Sequence, residues 1–175
     1  AFGSIVASGP NTANPHAVPS DRVIEKGDFV LMDYGAGYCD YRSDMTRTVV
    51  MGEPTQEQLD LYALVRRTHE ECVAAIRAGV DGHDIHLLSQ KIIGDAGYGE
   101  YYGHGLGHGV GIDIHELPNF NRSKNIIEVG SVVTMEPGVY LPGVGGVRLE
   151  DYGVVTENGY EPFTKTPHDL HVIDC

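Results

Sequence analysis

GHGLGHGVGIDIHE, residues Gly103 to Glu116, sets three histidines (His104, His108 and His115) among five glycines. The apolar residues between them, Leu106, Val110, Ile112 and Ile114, predict a backbone that is mostly buried and extended, with glycine wherever another segment must approach closely. The bland alternative is a glycine-rich loop in which the histidines are polar filler. The segments on either side decide between them.

Upstream, FVLMDY (Phe29 to Tyr34) is an almost wholly apolar β run that contains Asp33. Gly35 and Gly37 follow, then a second strand candidate, Arg42 to Met51, with Asp44 near its start. A hairpin centred between Tyr38 and Cys39 places Asp33 opposite Asp44, with β-carbons about 5 Å apart. Downstream, SVVTME (Ser131 to Glu136) is another apolar run ending in an acid. A turn over Pro142 to Gly146 leads to the strand Val147 to Val155. With that turn centred on Gly143, Glu136 faces Glu150. Two hairpins thus yield two cross-strand pairs of acids, each in a run that otherwise belongs in a core, where a charge requires a partner.

The remaining chain reads as scaffold. Ile5 to Ser8 is a short strand, followed by a loop broken by Gly9, Pro10, Asn11, Pro15 and Pro19 that carries His16. Pro54 to Ala78 is helical, opened by a Thr55–Gln58 capping box and closed by Gly79, with Leu61, Leu64, Val65, Thr68, Cys72, Ala75 and Ile76 at steps of three and four. A shorter helix spans Asp84 to Ala96. His69, His83 and His86 are expected to be surface or capping residues.

A chain of 175 residues suits one domain with a real core. Its net charge of -13 argues against nucleic acid or an anionic membrane surface as partner, and part of that charge suits carboxylates gathered to hold cations. Cys39, Cys72 and Cys175 form neither a CxxC pair nor a disulfide framework, which points to a reducing, cytoplasmic compartment. No apolar run approaches the roughly 20 residues of a spanning helix. The chain opens on a strand already under way, so an upstream portion is expected.

Two aspartates, two glutamates and a histidine offer enough hard oxygen donors, with one imidazole, for two divalent ions roughly 3.5–4 Å apart bridged by shared carboxylates. A closed structural zinc site would instead use cysteine and histidine. LMDYGAGYCDYRSDMTRT, YGHGLGHGVGIDIHE, TMEPGVY and VRLEDYGVVT resemble, in order, the signature segments of the pita-bread metallopeptidases, the family of methionine aminopeptidase, aminopeptidase P and prolidase. The resemblance implies an α+β pita-bread fold, a curved antiparallel sheet with helices on its outer face. Residues 1–175 would be a catalytic domain without its first helices and without a separate N-terminal domain. It implies two divalent metal ions, manganese first with cobalt or zinc open, on Asp33, Asp44, His108, Glu136 and Glu150, with Asp44 and Glu150 bridging. Water activated between such ions becomes a nucleophile for a peptide carbonyl. By the same resemblance Glu136 is the acid/base, His115 stabilises the tetrahedral intermediate, and His16 contacts substrate or leaving group. His104 matches a pocket histidine of the proline-specific branch. Arg148, two residues before Glu150 on the same strand face, is placed to orient the ligand carboxylates.

Only 14 positions separate Glu136 from Glu150, a short hairpin of the prolidase-like kind, and NPHAVP and GHGLGHG lean the same way. The expected substrates are short proline-containing peptides cut at an Xaa-Pro bond. Proline lacks an amide hydrogen and restricts the residue before it, so a dedicated pocket makes physical sense. A methionine aminopeptidase-like enzyme and a non-catalytic peptide-binding module of the same fold stay open, as does a homodimer. The glycines never satisfy GxGxxG, and HELPN after His115 does not complete HExxH.

Overall fold

Cys39 and Asp40 both take positive φ, 48° and 67°, which is the type I′ geometry that suits a two-residue hairpin. The computed structural model describes residues 1–174, so Cys175 lies outside the described residues. The strands are β1 (Ile5–Ser8), β2 (Phe29–Tyr34), β3 (Gly37–Tyr38), β4 (Tyr41–Arg42) and β5 (Met45–Met51). After helices α1 (Gln56–Ala75) and α2 (Gly82–Asp95) come β6 (Gly107–Gly109), β7 (Glu116–Phe120), β8 (Val132–Met135) and β9 (Gly138–Leu141). The chain continues with β10 (Gly145–Arg148), β11 (Asp151–Val155), β12 (Tyr160–Pro162) and β13 (Val172–Ile173).

Two larger sheets carry the fold, ordered β1-β2-β5-β13 and β12-β11-β8-β6-β7, with the hairpin pairs β9/β10 and β3/β4 beside them. The α+β class is as expected, but the antiparallel surface is divided rather than continuous, and β13 runs parallel to β5. The first hairpin turns at Cys39–Asp40, one residue later than the sequence suggests, so Asp33 pairs with Thr46 and not with Asp44. A one-residue shift of a turn moves the register by two, which preserves the face. Asp44, two residues before Thr46, therefore stays on the side of Asp33. The second hairpin has the anticipated register: Arg148 pairs with Gly138 and Asp151 with Met135, bracketing Glu136 and Glu150 where the two strands pass from one sheet to the other.

The predicted capping box on α1 is present, with Thr55 Oγ1 accepting from the Gln58 amide. The helix stops at Ala75, before the expected Gly79, because Ile76 turns extended and buries in the core, and Ala78 and Gly79 donate instead to Thr156 and Ile127. α2 starts earlier than predicted, capped by Asp81 on the His83 amide. It ends with Gly97 at φ 88° and the paired bonds Gly97 N–H to Gly94 and Tyr98 N–H to Ile93 of a Schellman turn. The helices pack on the sheets through two clusters. One joins Leu61, Tyr62 and Val65 to Val139, Val147 and Leu149, and the other joins Cys72, Ile76 and Ile85 to Leu106, Phe120, Val133 and Met135. Side chains alternate along a strand. With Val147 and Leu149 facing the helices, Arg148 and Glu150 face the other way. No helix among the described residues is long and apolar enough to cross a membrane.

His69 and His86 are not surface residues: they are 2% and 3% exposed. The Gly9–Ala13 stretch forms a 3-10 turn where a breaker-rich loop was expected. The histidine segment is extended only at β6, and Ile112 and His115 are exposed because the chain loops out between β6 and β7.

Candidate metal centre

One cavity of about 360 Å³ gathers all nine residues singled out in the sequence: His16, Asp33, Asp44, His104, His108, His115, Glu136, Arg148 and Glu150. β2 delivers Asp33, the residue just before β5 is Asp44, β6 carries His108, and the paired crossings at β8/β9 and β10/β11 deliver Glu136 and Glu150. Glycine allows the approach. A Cβ on Gly107 would lie 2.1 Å from the Thr134 carbonyl oxygen, and one on Gly109 2.4 Å from that of Leu117, so β6 fits between β8 and β7 only with hydrogens there.

His108 donates from Nδ1 to the Gly109 carbonyl at 3.0 Å, which leaves Nε2 as the unprotonated nitrogen. That nitrogen points at the acids, 3.4 Å from Glu136 Oε1 and 3.7 Å from Asp44 Oδ2. Its amide is fixed by the Thr134 hydroxyl at 3.1 Å. Burial holds the His108 imidazole down at about 4. The acids are displaced the opposite way. Burial, then Glu150 and Asp33, push Asp44 up to about 9. Burial and Asp33 push Glu150 up to about 7 against the opposing pull of Arg148 and the Thr46 hydroxyl. Glu136 is raised well above its ordinary value by burial and by Glu150, and Asp33 is raised by burial despite its arginine.

Fully ionised, as metal binding requires, four carboxylates against one guanidinium would carry a net charge near -3. Asp33 Oδ1 and Asp44 Oδ1 are buried with no hydrogen-bond partner among the described residues. Unpaired buried carboxylate oxygens of this kind are what cations satisfy, and oxygen-rich donors with one imidazole suit hard or borderline divalent ions. The residues present therefore fit a cation pair: one divalent ion leaves the group negative, two bring it slightly positive. Asp44, His108 and Glu150 bring donor atoms within 4.8 Å of one another.

Arg148 is buried and engages four acceptors. It donates to Asp33 Oδ2 at 2.5 Å, to Thr46 Oγ1 at 3.1 Å, to the Pro15 carbonyl at 3.1 Å and to the Tyr140 hydroxyl at 3.0 Å. Tyr140 in turn donates to His104 Nε2 at 2.9 Å, since His104 Nδ1 is spent on the Gly105 carbonyl. Burial keeps His104 neutral, at about 4. His115 stacks edge-on to His108 with ring centroids 4.3 Å apart, and it and His16 are exposed at the mouth. Tyr102 is a core residue bonded to Ser89, and Tyr101 is exposed.

Two residues escaped the sequence reading. Thr46 donates to Glu150 Oε2 at 2.6 Å and receives Arg148. Its signal was its place two residues after Asp44 on one strand face. Arg47 holds the backbone behind Glu150, donating to the carbonyls of Thr46 and Glu150 at 2.9 and 2.7 Å. Nothing in its strand position announces that reach.

Two sheets with helices packed on one side, and an acid-lined cavity with His108 buried among the acids on the other, make the arrangement of a pita-bread metallopeptidase domain. The chain belongs to metallopeptidase family M24, whose model matches residues 1–157. It is 43% identical to the Xaa-Pro dipeptidase of Pyrococcus horikoshii over 171 residues, 97% of this chain and 49% of that protein. Among solved structures, the Xaa-Pro dipeptidase from Bacillus anthracis shares 46% identity at a TM-score of 0.96, with 98% of this chain and 49% of that one covered. The X-Pro aminopeptidase from Thermotoga maritima shares 39% identity at a TM-score of 0.96, with the same coverage. The chain spans about half the length of these relatives.

Proposed function

We propose that this chain is the metal-binding catalytic part of a peptidase that hydrolyses Xaa-Pro bonds in short peptides. The observation that carries the reading is the convergence of four acids, their affinity for protons raised by burial and proximity, with His108 in one cavity rimmed by three more histidines. The names and closeness of the relatives support the proline preference. Asp33, Asp44, His108, Glu136 and Glu150 would hold two divalent cations, manganese first for so oxygen-rich a set, with cobalt and zinc as rivals. Such a pair supplies Lewis acidity toward the scissile carbonyl and lowers the pKa of the attacking water.

The chain's own residues do the rest. Glu136 takes the proton of the attacking water as the water oxygen bonds to the carbonyl carbon. It returns that proton to the proline nitrogen as the C–N bond breaks. His115, at the mouth and against His108, donates to the oxygen that gains charge. His16 contacts the substrate beside it. The Arg148–Tyr140–His104 relay fixes the wall opposite, with His104 neutral and presenting an apolar edge to a proline ring. The exposed thiol of Cys39 suits a reducing compartment, and we place the protein in the cytoplasm.

The test is hydrolysis of Ala-Pro, Ala-Pro-Ala and Met-Ala-Ser by the purified protein with manganese, cobalt or zinc. Cleavage of Ala-Pro alone assigns a dipeptidase, and cleavage of Ala-Pro-Ala an aminopeptidase. Cleavage of Met-Ala-Ser alone would overturn the proline assignment, and no turnover with all three metals bound would favour a peptide-binding module.

A further inference from the structure

Side chains alternate along β11, so Asp151 points away from Glu150, out of the cavity and toward α1. There it meets His69, whose side chain is 3% exposed and whose two ring nitrogens have no hydrogen-bond partner among the described residues. His69 Nε2 stands 3.4 Å from Asp151 Oδ2. His168, on the segment leading to β13, brings its own Nε2 to the same oxygen at 2.5 Å. The two rings meet at 71° with centroids 4.8 Å apart, and the three donor atoms all lie within 4.8 Å of one another.

The other carboxylate oxygen, Oδ1, is held by Arg47 at 2.6 Å. Arg47 spends its four remaining N–H donors on the carbonyls of Thr46, Glu150, Thr166 and Pro167. All five donors of the guanidinium are thus used. Asp151 is locked with one oxygen turned to two imidazoles. A ligating carboxylate whose second oxygen is hydrogen-bonded is the usual arrangement in protein metal sites. A buried imidazole with no partner is costly, and a cation placed between it and Oδ2 would remove that cost.

We propose that His69, Asp151 and His168 form a further cation site, separate from the cavity, that takes a zinc ion. Two imidazole nitrogens and one carboxylate oxygen are a zinc donor set, and the fourth, water-filled position lies toward His168, whose side chain is 28% exposed. The ion joins α1, β11 and the 164–173 segment, three pieces far apart in the chain, and so stabilises only the folded state. The two imidazoles favour zinc over the harder ions that suit the oxygen-rich cavity, and the positive charge of Arg47 nearby makes the site weaker than a thiolate-lined one.

The test compares wild type with His168→Ala, a change at a partly exposed position, and His69→Gln, which keeps the buried volume. Each is loaded with zinc, freed of excess by gel filtration and assayed for zinc per chain. Crystals of the loaded protein are examined by anomalous scattering at the zinc edge. The expected result is one zinc fewer per chain in both variants and an anomalous peak beside Asp151 Oδ2 in wild type. A purely structural hydrogen bond from His168 to Asp151 leaves zinc stoichiometry unchanged. Equal zinc content in wild type and both variants, or no peak at Oδ2, overturns the proposal.

Discussion

Asp44→Asn should make the metal-free protein more stable while destroying its capacity to hold metal. The Asp44 carboxyl, 3.8 when free, is held at about 9 by burial and by Glu150 and Asp33. The folded chain therefore keeps a proton that the unfolded chain releases, and stability falls as pH rises through the interval between the two values. At pH 7 the distance from the free value is roughly three pH units, about 4 kcal/mol at 1.4 kcal/mol per unit. Asparagine ionises in neither state and removes that term. Because Glu150 and Asp33 draw on the same proton population, the net gain is about 2–4 kcal/mol, a rise of roughly 5–10 °C in melting temperature for a chain of this size.

The assay is a thermal melt in EDTA from pH 7 to 8.5. That window lies above the range in which buried neutral His104 and His108, both near 4 against an ordinary 6.5, contribute: theirs is stability lost as pH falls from 6.5 toward 4. Wild type should lose about 2 kcal/mol across the window, and the variant should lose clearly less, its remaining slope coming from the raised Glu136 carboxyl. With manganese at a hundredfold excess over Kd the order reverses, because wild type gains about 2.7 kcal/mol per site from binding that the variant has lost. A variant that melts at or below wild type in EDTA at pH 7 would refute the reasoning.

Gly107→Ala should cost more than about 2 kcal/mol in urea denaturation, since the new methyl would sit 2.1 Å from the Thr134 carbonyl oxygen and backbone cannot yield as a side chain does. Its metal affinity should fall with it, because His108 is the next residue. Arg148→Gln removes the buried partner of Asp33 and should destabilise by about 3–5 kcal/mol, whereas unchanged urea stability would show that pair to be dispensable. Thr55→Ala removes the helix cap far from the cavity and should cost about 1 kcal/mol in the same denaturation, with metal affinity untouched as measured by calorimetry.

Much of the site was legible because the acids betray themselves inside apolar strands. Asp33 and Glu136 stand out in FVLMDY and SVVTME, and period-two alternation fixes the face they share with Asp44 and Glu150. The first hairpin was misregistered because Cys39 and Asp40 gave no glycine signal for their positive φ; parity rescued the face. The end of α1 was misplaced because Gly79 draws the eye, whereas burial of Ile76 settles where the helix stops. His69 was read as surface although it falls four residues after Val65 and three before Cys72, on the buried stripe of α1. Its polarity was weighted above its spacing. What no local pattern carries is the long-range wiring. Arg47 reaches residues 103 to 120 positions away, and the Arg148–Tyr140–His104 relay depends on side-chain directions set by packing.

The saturated guanidinium of Arg47 has a mechanical consequence. It ties the 166–167 backbone to the carbonyl of Glu150, so the stretch that wraps back over β5 acts as a buckle on the strand crossing beneath the cavity. Peeling that stretch away would strand the two Arg47 donors that hold Thr166 and Pro167 and slacken the crossing in one event. Hydrogen exchange during gentle heating should then report the amides of β13 and of Glu150 opening together, ahead of either helix.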